Sequence, residues 1–149
     1  MDKAAALDRL KQIVETSPSP SFFVMGGELL DIDPEAGTSE VAWHPKPDFA
    51  NPMGFVQGGF VSAMLDDTAV LAGLAKSGFT QVMPTLEMKT SYLAPAPIAR
   101  LTGRGRVIRL GRSIAFLEAD LLDGQGKLLA RTSMTARPTP IPPGEPARS

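Results

Sequence analysis

The 149-residue sequence has no cysteine. Disulfides and thiolate metal sites are therefore excluded, and the composition fits a reducing cytoplasm. There is one histidine, His44, directly before Pro45. A lone imidazole without cysteine cannot supply a metal triad, so no metal and no metalloenzyme is expected. His44 falls at the end of a predicted strand and reads as a near-surface strand-end residue, although its near-neutral pKa would suit a general base. Charge of one sign is also lacking: 15 basic residues face 16 acidic ones, for a formal net charge of -1. Without a basic surplus there is no electrostatic footprint for nucleic acid. No apolar segment precedes a small-residue cleavage site, so no signal peptide is read. No apolar run long enough to span a membrane is free of charge. The length suits one domain with a respectable core, and no internal repeat is present.

What the chain does have is the stretch from Asn51 to Ala75. Asn51, Pro52 and Gly54 are turn formers, Gly58 and Gly59 form a hinge, and from Phe60 onward Ala, Leu, Met and Val dominate. That predicts a loop feeding a helix without a wide polar stripe, hence a buried one. Asp66 and Asp67 sit in the middle of it, too polar a pair for a membrane span. An unpartnered buried charge is costly, so at least one of the two is expected to have a function. The uncovered N–H groups at the glycine entrance, with the positive end of the helix dipole, can hold a developing oxyanion. Asp66 lies eight residues beyond Gly58, about 12 Å along the axis and some 80° round it. It cannot readily serve its own helix's donors. The spacing points instead to a second copy of the helix and a site shared between subunits.

Around this stretch, residues 3–16 carry Leu7, Leu10, Ile13 and Val14 at helical spacing, and the run Ser17 to Pro20 ends that helix. Strands are predicted over 22–32, with a bend at Gly26 and Gly27, and over 38–43. Beyond the helix stop at Gly78 they are predicted over 80–93, 98–110, 113–122 and 128–136. The run Asp123 to Gly126 is a hairpin signal. Two strands, a buried helix and a four-strand meander make an α+β fold: about six antiparallel strands wrapped round one long central helix, with an extra N-terminal helix. Residues 1–20 form helix and linker, 21–136 the domain, and 137–149, with five prolines, a loose tail. A six-stranded sheet covers only one side of an all-apolar helix. The other side is most simply covered by a second copy, so a homodimer is expected.

Asn51, then Val56 to Gly59, then Leu65 to Ala69, followed by Thr85 and the run Tyr92 to Ala96, resembles the PaaI-like branch of the hotdog-fold acyl-CoA thioesterases. The resemblance covers roughly residues 20–136. In that family the loop usually carries His where this chain has Gln57, with Gly-Gly next and Asp nine residues past the His; the intervals are kept here. The resemblance implies hydrolysis of an acyl-CoA thioester. Gly58 N–H would polarise the carbonyl with help from the Asn51 amide, Asp66 would act as base or nucleophile, and Thr85 would orient the water or the carboxylate. The interval selects Asp66 over Asp67. Gln57 can donate and accept but cannot titrate, so it would position rather than transfer protons. Gly59, Phe60 and Met83 would line the substrate site, with Arg109, Arg112 and Lys89 available to the coenzyme's phosphates. No cofactor is implied beyond the substrate, and homodimers and homotetramers both occur in the family. Two rivals are a hydratase or dehydratase on the same fold, which generally needs a histidine in this region, and a non-catalytic acyl-CoA-binding or sensing module.

Overall fold

A computed structural model describes residues 1–16 and 19–141. Helix α1 spans Lys3–Thr16 and a short α2 spans Pro20–Val24. Strands β1 (Gly27–Asp33) and β2 (Thr38–Trp43) lead through a 3₁₀ turn at Pro47–Phe49 to α3 (Gly58–Lys76). Then follow β3 (Gln81–Val82), β4 (Thr85–Tyr92), β5 (Leu101–Leu110), β6 (Ala115–Leu122), β7 (Leu128–Ala136) and β8 (Thr139–Pro140). Six strands form one antiparallel sheet in the order β1-β2-β5-β6-β7-β4, and β3 pairs separately with β8. The sheet curls round α3, which is the hotdog arrangement.

Three boundaries differ from the sequence expectation. The strand expected from Phe22 begins at Gly27, because Pro20 starts a helical turn and Gly26 turns the chain at φ +73°. That turn places the Phe22 ring edge-on to Trp43, 5.2 Å between centroids, where only a glycine fits at position 27. The strand expected over 80–93 is split at Met83-Pro84 into β3 and β4. Residues 139–140, expected in a loose tail, instead pair with β3, and Ile141 N–H bonds the Thr80 carbonyl at 2.9 Å. The rest of that tail, 142–149, lies outside the described residues.

The position of α3 is set by glycines in β5. A Cβ at Gly105 would lie 2.3 Å from the Thr68 carbonyl oxygen, and one at Gly103 would lie 2.5 Å from Thr68 Oγ1. The helix therefore rests directly on strand backbone. Thr68 is fully buried, accepts from Trp43 Nε1 at 3.1 Å, and its carbonyl accepts from Ser39 Oγ at 2.6 Å. Its C-terminal half packs with α1 and Ile32 in a second apolar cluster containing Ala6, Leu10, Leu74, Ala75 and Phe79.

Candidate active site

The loop before α3 is built on Asn51. Its Oδ1 accepts from Met53 N–H (3.0 Å) and Phe55 N–H (3.1 Å), while its own N–H donates to the Phe55 carbonyl at 2.7 Å. With the side-chain oxygen committed to the loop, the Asn51 NH₂ is the end left free to donate. Gln57 N–H bonds the Phe49 carbonyl at 2.8 Å, and Val56 N–H bonds the Ala96 carbonyl at 2.8 Å. The loop is thus tied to the β4–β5 connection, and the helix entrance is held on both sides.

Gln57 is the N-cap of α3. Its Oε1 accepts from Gly59 N–H at 2.7 Å and from Phe60 N–H at 3.3 Å. A helix start leaves its first N–H groups without internal partners. Here Gln57 takes the second and third, and among the described residues Gly58 N–H donates to nothing. The Gly59 N–H is given to Gln57. Gly59 contributes room, since a Cβ there would meet Gln57 Oε1 at 2.8 Å. The chemistry left at the entrance is one aimed backbone donor, with the helix dipole behind it.

Two turns further along α3, Thr85 Oγ1 donates to Asp66 Oδ1 at 2.8 Å. Asp66 is half-buried, so one carboxylate oxygen is oriented by Thr85 while the group keeps access to the surface. Asp67 sits differently: its Oδ2 is buried and has no hydrogen-bond partner among the described residues. Burial, and secondarily the charge of Asp66, pushes the Asp67 carboxyl up to about 6.

Between these ends runs a lacing that sequence reasoning missed. Gly58, Ser62 and Asp66 follow one another at four-residue intervals along α3, and each meets β4. Tyr92 Oη donates to the Gly58 carbonyl at 2.9 Å, Ser62 Oγ meets Thr90 Oγ1 at 3.0 Å, and Thr85 holds Asp66. The signal was an i, i+4, i+8 polar stripe on an otherwise apolar helix, together with Thr90 and Tyr92 on one face of a strand. A cavity of about 420 Å³ opens at the entrance, lined by Asn51, Met53, Gly58, Tyr92, Leu93 and Leu129 among others.

The remaining expected residues do not gather there. Phe60 stacks on Phe49, with 4.1 Å between centroids, beside the entrance. Met83 is buried against Gly73, in the far half of α3. Lys89 lines a separate cavity with Ile108, Phe116 and Ser133, on the sheet face turned away from α3. Arg109 pairs in register with the exposed Phe116, and Arg112 lies exposed in the β5–β6 turn. His44 Nε2 pairs with Glu28 at 3.1 Å in an exposed contact, in keeping with a strand-end residue.

A family model described as the thioesterase superfamily matches residues 53–130, from the loop to β7. A Saccharolobus solfataricus protein provisionally named an esterase is 32% identical over 101 residues, spanning 67% of this chain and 71% of that protein. A Ralstonia eutropha structure, a provisionally named thioesterase related to phenylacetic acid degradation, is 33% identical with a TM-score of 0.78, covering 85% of this chain and 96% of that one. A Streptococcus mutans protein solved with acetyl-CoA bound shares the fold at TM-score 0.69 and 18% identity, covering 76% of this chain and 89% of that one.

Proposed function

The chain belongs to the thioesterase superfamily, in its PaaI-like branch, and from that premise we propose that it hydrolyses acyl-CoA thioesters to free acid and CoA at a site shared by two copies of the chain. The observation that carries this reading is the arrangement of β4. It is an edge strand, it holds the Asp66 carboxylate at its Thr85 end, and it holds the Gly58 entrance at its Tyr92 end. Within one chain Asp66 and Gly58 stand about 12 Å apart along α3, too far for one thioester carbonyl. An edge with unpaired N–H and C=O groups is a template for pairing. Two such edges paired antiparallel about a two-fold axis would bring the Thr85 end of one copy against the Tyr92 end of the other. Asp66 would then face the partner's free amide. The coenzyme is supported by the fold relative with bound acetyl-CoA.

The chemistry follows from the groups present. The thioester carbonyl oxygen accepts from Gly58 N–H and the Asn51 NH₂, which raises the electrophilicity of the carbon and stabilises the oxyanion. On the general-base route, Asp66 takes a proton from water as the oxygen attacks. The C–S bond then breaks, and the thiolate leaves to be protonated as CoA-SH. On the nucleophilic route, Asp66 attacks first, CoA leaves, and water cleaves the resulting anhydride. Label found in Asp66 after single turnover in ¹⁸O-water marks the nucleophilic route, with water entering at the Asp66 carboxyl carbon. A carboxylate held by Thr85 suits either role.

The measurement is thiol release from a panel of acyl-CoAs by wild type and Asp66→Asn. Turnover by wild type that falls about 10²- to 10⁴-fold in the variant supports the reading. The capping role of Gln57, where a titratable histidine would usually stand, favours one second reading, an acyl-CoA sensor. If both proteins bind acyl-CoA and neither releases thiol above background, the sensor replaces the hydrolase.

A further inference from the structure

Two consecutive glycines open α3, and glycine has the widest backbone freedom of any residue. A donor on so loose a turn is useful only if the turn is held, because a preorganised donor costs no reorganisation at the moment of reaction. Gln57 holds the N–H side of the turn. The carbonyl side is held from β4. Tyr92 Oη donates to the Gly58 carbonyl at 2.9 Å and lies 2.6 Å from Ser62 Oγ. Ser62 Oγ lies 3.0 Å from Thr90 Oγ1, which lies 3.2 Å from Thr132 Oγ1, and Thr132 donates to the Lys89 carbonyl at 3.1 Å.

The chain of hydroxyls ends on a backbone carbonyl at each side, and carbonyls only accept. Four hydroxyl hydrogens, those of Tyr92, Ser62, Thr90 and Thr132, are shared among five contacts, so Ser62 donates to Tyr92 or to Thr90 but not to both at once. None is left over to donate into the cavity. Tyr92 is nonetheless 55% exposed and lines that cavity beside Gly58. Its ring also lies close to the helix entrance: a Cβ at position 58 would stand 3.3 Å from Tyr92 Cε1 and Cζ, so a side chain there would push the ring outward.

We propose that Tyr92, braced by Ser62 and Thr90, is a positioning residue that fixes the first turn of α3 so that the Gly58 N–H stays aimed at the substrate carbonyl. It acts through Gly58 and donates nothing to the substrate, its hydrogen being engaged by the Gly58 carbonyl. Thr132 anchors the far end of the chain and is fully buried, so the brace is rooted in the sheet. This rests on the hydrolase reading for its kinetic consequence, while the bracing itself is a property of the fold.

The experiment has a kinetic arm and a structural arm, both on the full chain. In the kinetic arm, thiol release is measured for wild type, Tyr92→Phe, Ser62→Ala and the double variant. Tyr92→Phe keeps the ring and removes the bonds, so the fold is preserved. Positioning predicts kcat lower by about 10-fold, KM within about twofold, and a melting temperature within roughly 2 °C of wild type. Ser62→Ala should show a smaller loss of the same kind, and the double variant should be no worse than Tyr92→Phe, because both act through one chain. In the structural arm, amide hydrogen exchange at Gly59 to Val61 should quicken in Tyr92→Phe. Wild-type kcat in Tyr92→Phe, a loss confined to KM, or fully additive losses would overturn the proposal. If wild type releases no thiol, it is the hydrolase reading that fails. The bracing is then judged by exchange alone, and unchanged protection of the first turn would sink it.

Discussion

From Gly58 to Asp66, α3 buries Val61, Met64 and Leu65 in the main core on one side and makes hydroxyl contacts to the edge strand β4 on another. From Thr68 to Lys76 the same helix rests on glycine backbone in β5 and on the apolar cluster beneath α1. The first half carries the free amide, the capping Gln57 and the oriented carboxylate; the second carries buried Ala69, Ala72, Leu74 and Ala75. The difference teaches a division of work. Close packing is rigid and intolerant of added volume, so glycine contacts fix the far half closely, while the near half adds a polar face beside its buried Val61, Met64 and Leu65. Polar contacts contribute little net stability each, but they are directional, which is what aiming a donor and a carboxylate requires. Substitutions in the two halves should therefore separate turnover from stability.

The largest effect should come from Asp66→Asn, with thiol release down by about 10²- to 10⁴-fold and the melting temperature almost unmoved. A comparable loss of stability would erase the distinction between the halves. Next is Gly105→Ala under the far half, whose Cβ would sit 2.3 Å from the Thr68 carbonyl oxygen and 2.4 Å from Ser39 Oγ. It should cost about 2 to 3 kcal/mol, seen as a fall of roughly 5 to 10 °C in Tm, while turnover measured well below Tm stays within threefold.

Asp67→Asn tests the boundary between the halves. The folded Asp67 carboxyl is raised from 3.8 to about 6, so between those values the native state keeps a proton that the unfolded state has released. Stability of the wild type therefore declines as pH rises from about 4 through about 6, and the deficit persists above that. Asn carries no such deficit. The variant should match wild type near pH 4 and exceed it by about 2 to 3 kcal/mol at pH 7.5, with most activity intact. A margin flat across that range, followed by denaturant unfolding, would mean that Oδ2 has found a donor. The smallest effect belongs to Gln57→Ala, which uncaps Gly59 and Phe60 at a cost of about 1 kcal/mol. Because the Tyr92 brace still holds the Gly58 carbonyl, kcat/KM should fall by less than about 10-fold. A loss as deep as that of Asp66→Asn would place Gln57 in the chemistry itself.

Much of the fold was legible because its signals are local. Leu7, Leu10, Ile13 and Val14 mark α1, and the boundaries 3–16 are met. The alternation through β6 and the Asp123 to Gly126 turn mark the β6–β7 hairpin, in which Asp123 Oδ1 accepts from Gln125 N–H and Lys127 N–H at 2.9 Å. The misread start of β1 has a physical reason. Phe22, Phe23 and Val24 have strand propensity, but Pro20 and the packing of Phe22 on Trp43 favour a helical turn. Of the site, the intervals from Asn51 to Gln57 to Asp66 could be counted, since they lie in one loop and one helix. The stripe that holds Ser62 and the strand face that holds Thr90 and Tyr92 can each be read locally, but nothing local says that the two will meet. Lys89 and Arg109 were attractive as charges, yet the strand pleat turns them to the far side of the sheet.

By itself the sequence determined an apolar helix entered through two glycines, with paired acids two turns in and a meander of strands after it. Those features depend on residues a few positions apart, where backbone geometry alone sets the spacing. Only the tertiary structure decided which acid is oriented by Thr85 and which is left buried without a donor, and that Tyr92 holds the Gly58 carbonyl. Those outcomes turn on contacts between α3 and an edge strand 19 to 34 residues away in the chain, and on burial, which no short stretch of sequence carries.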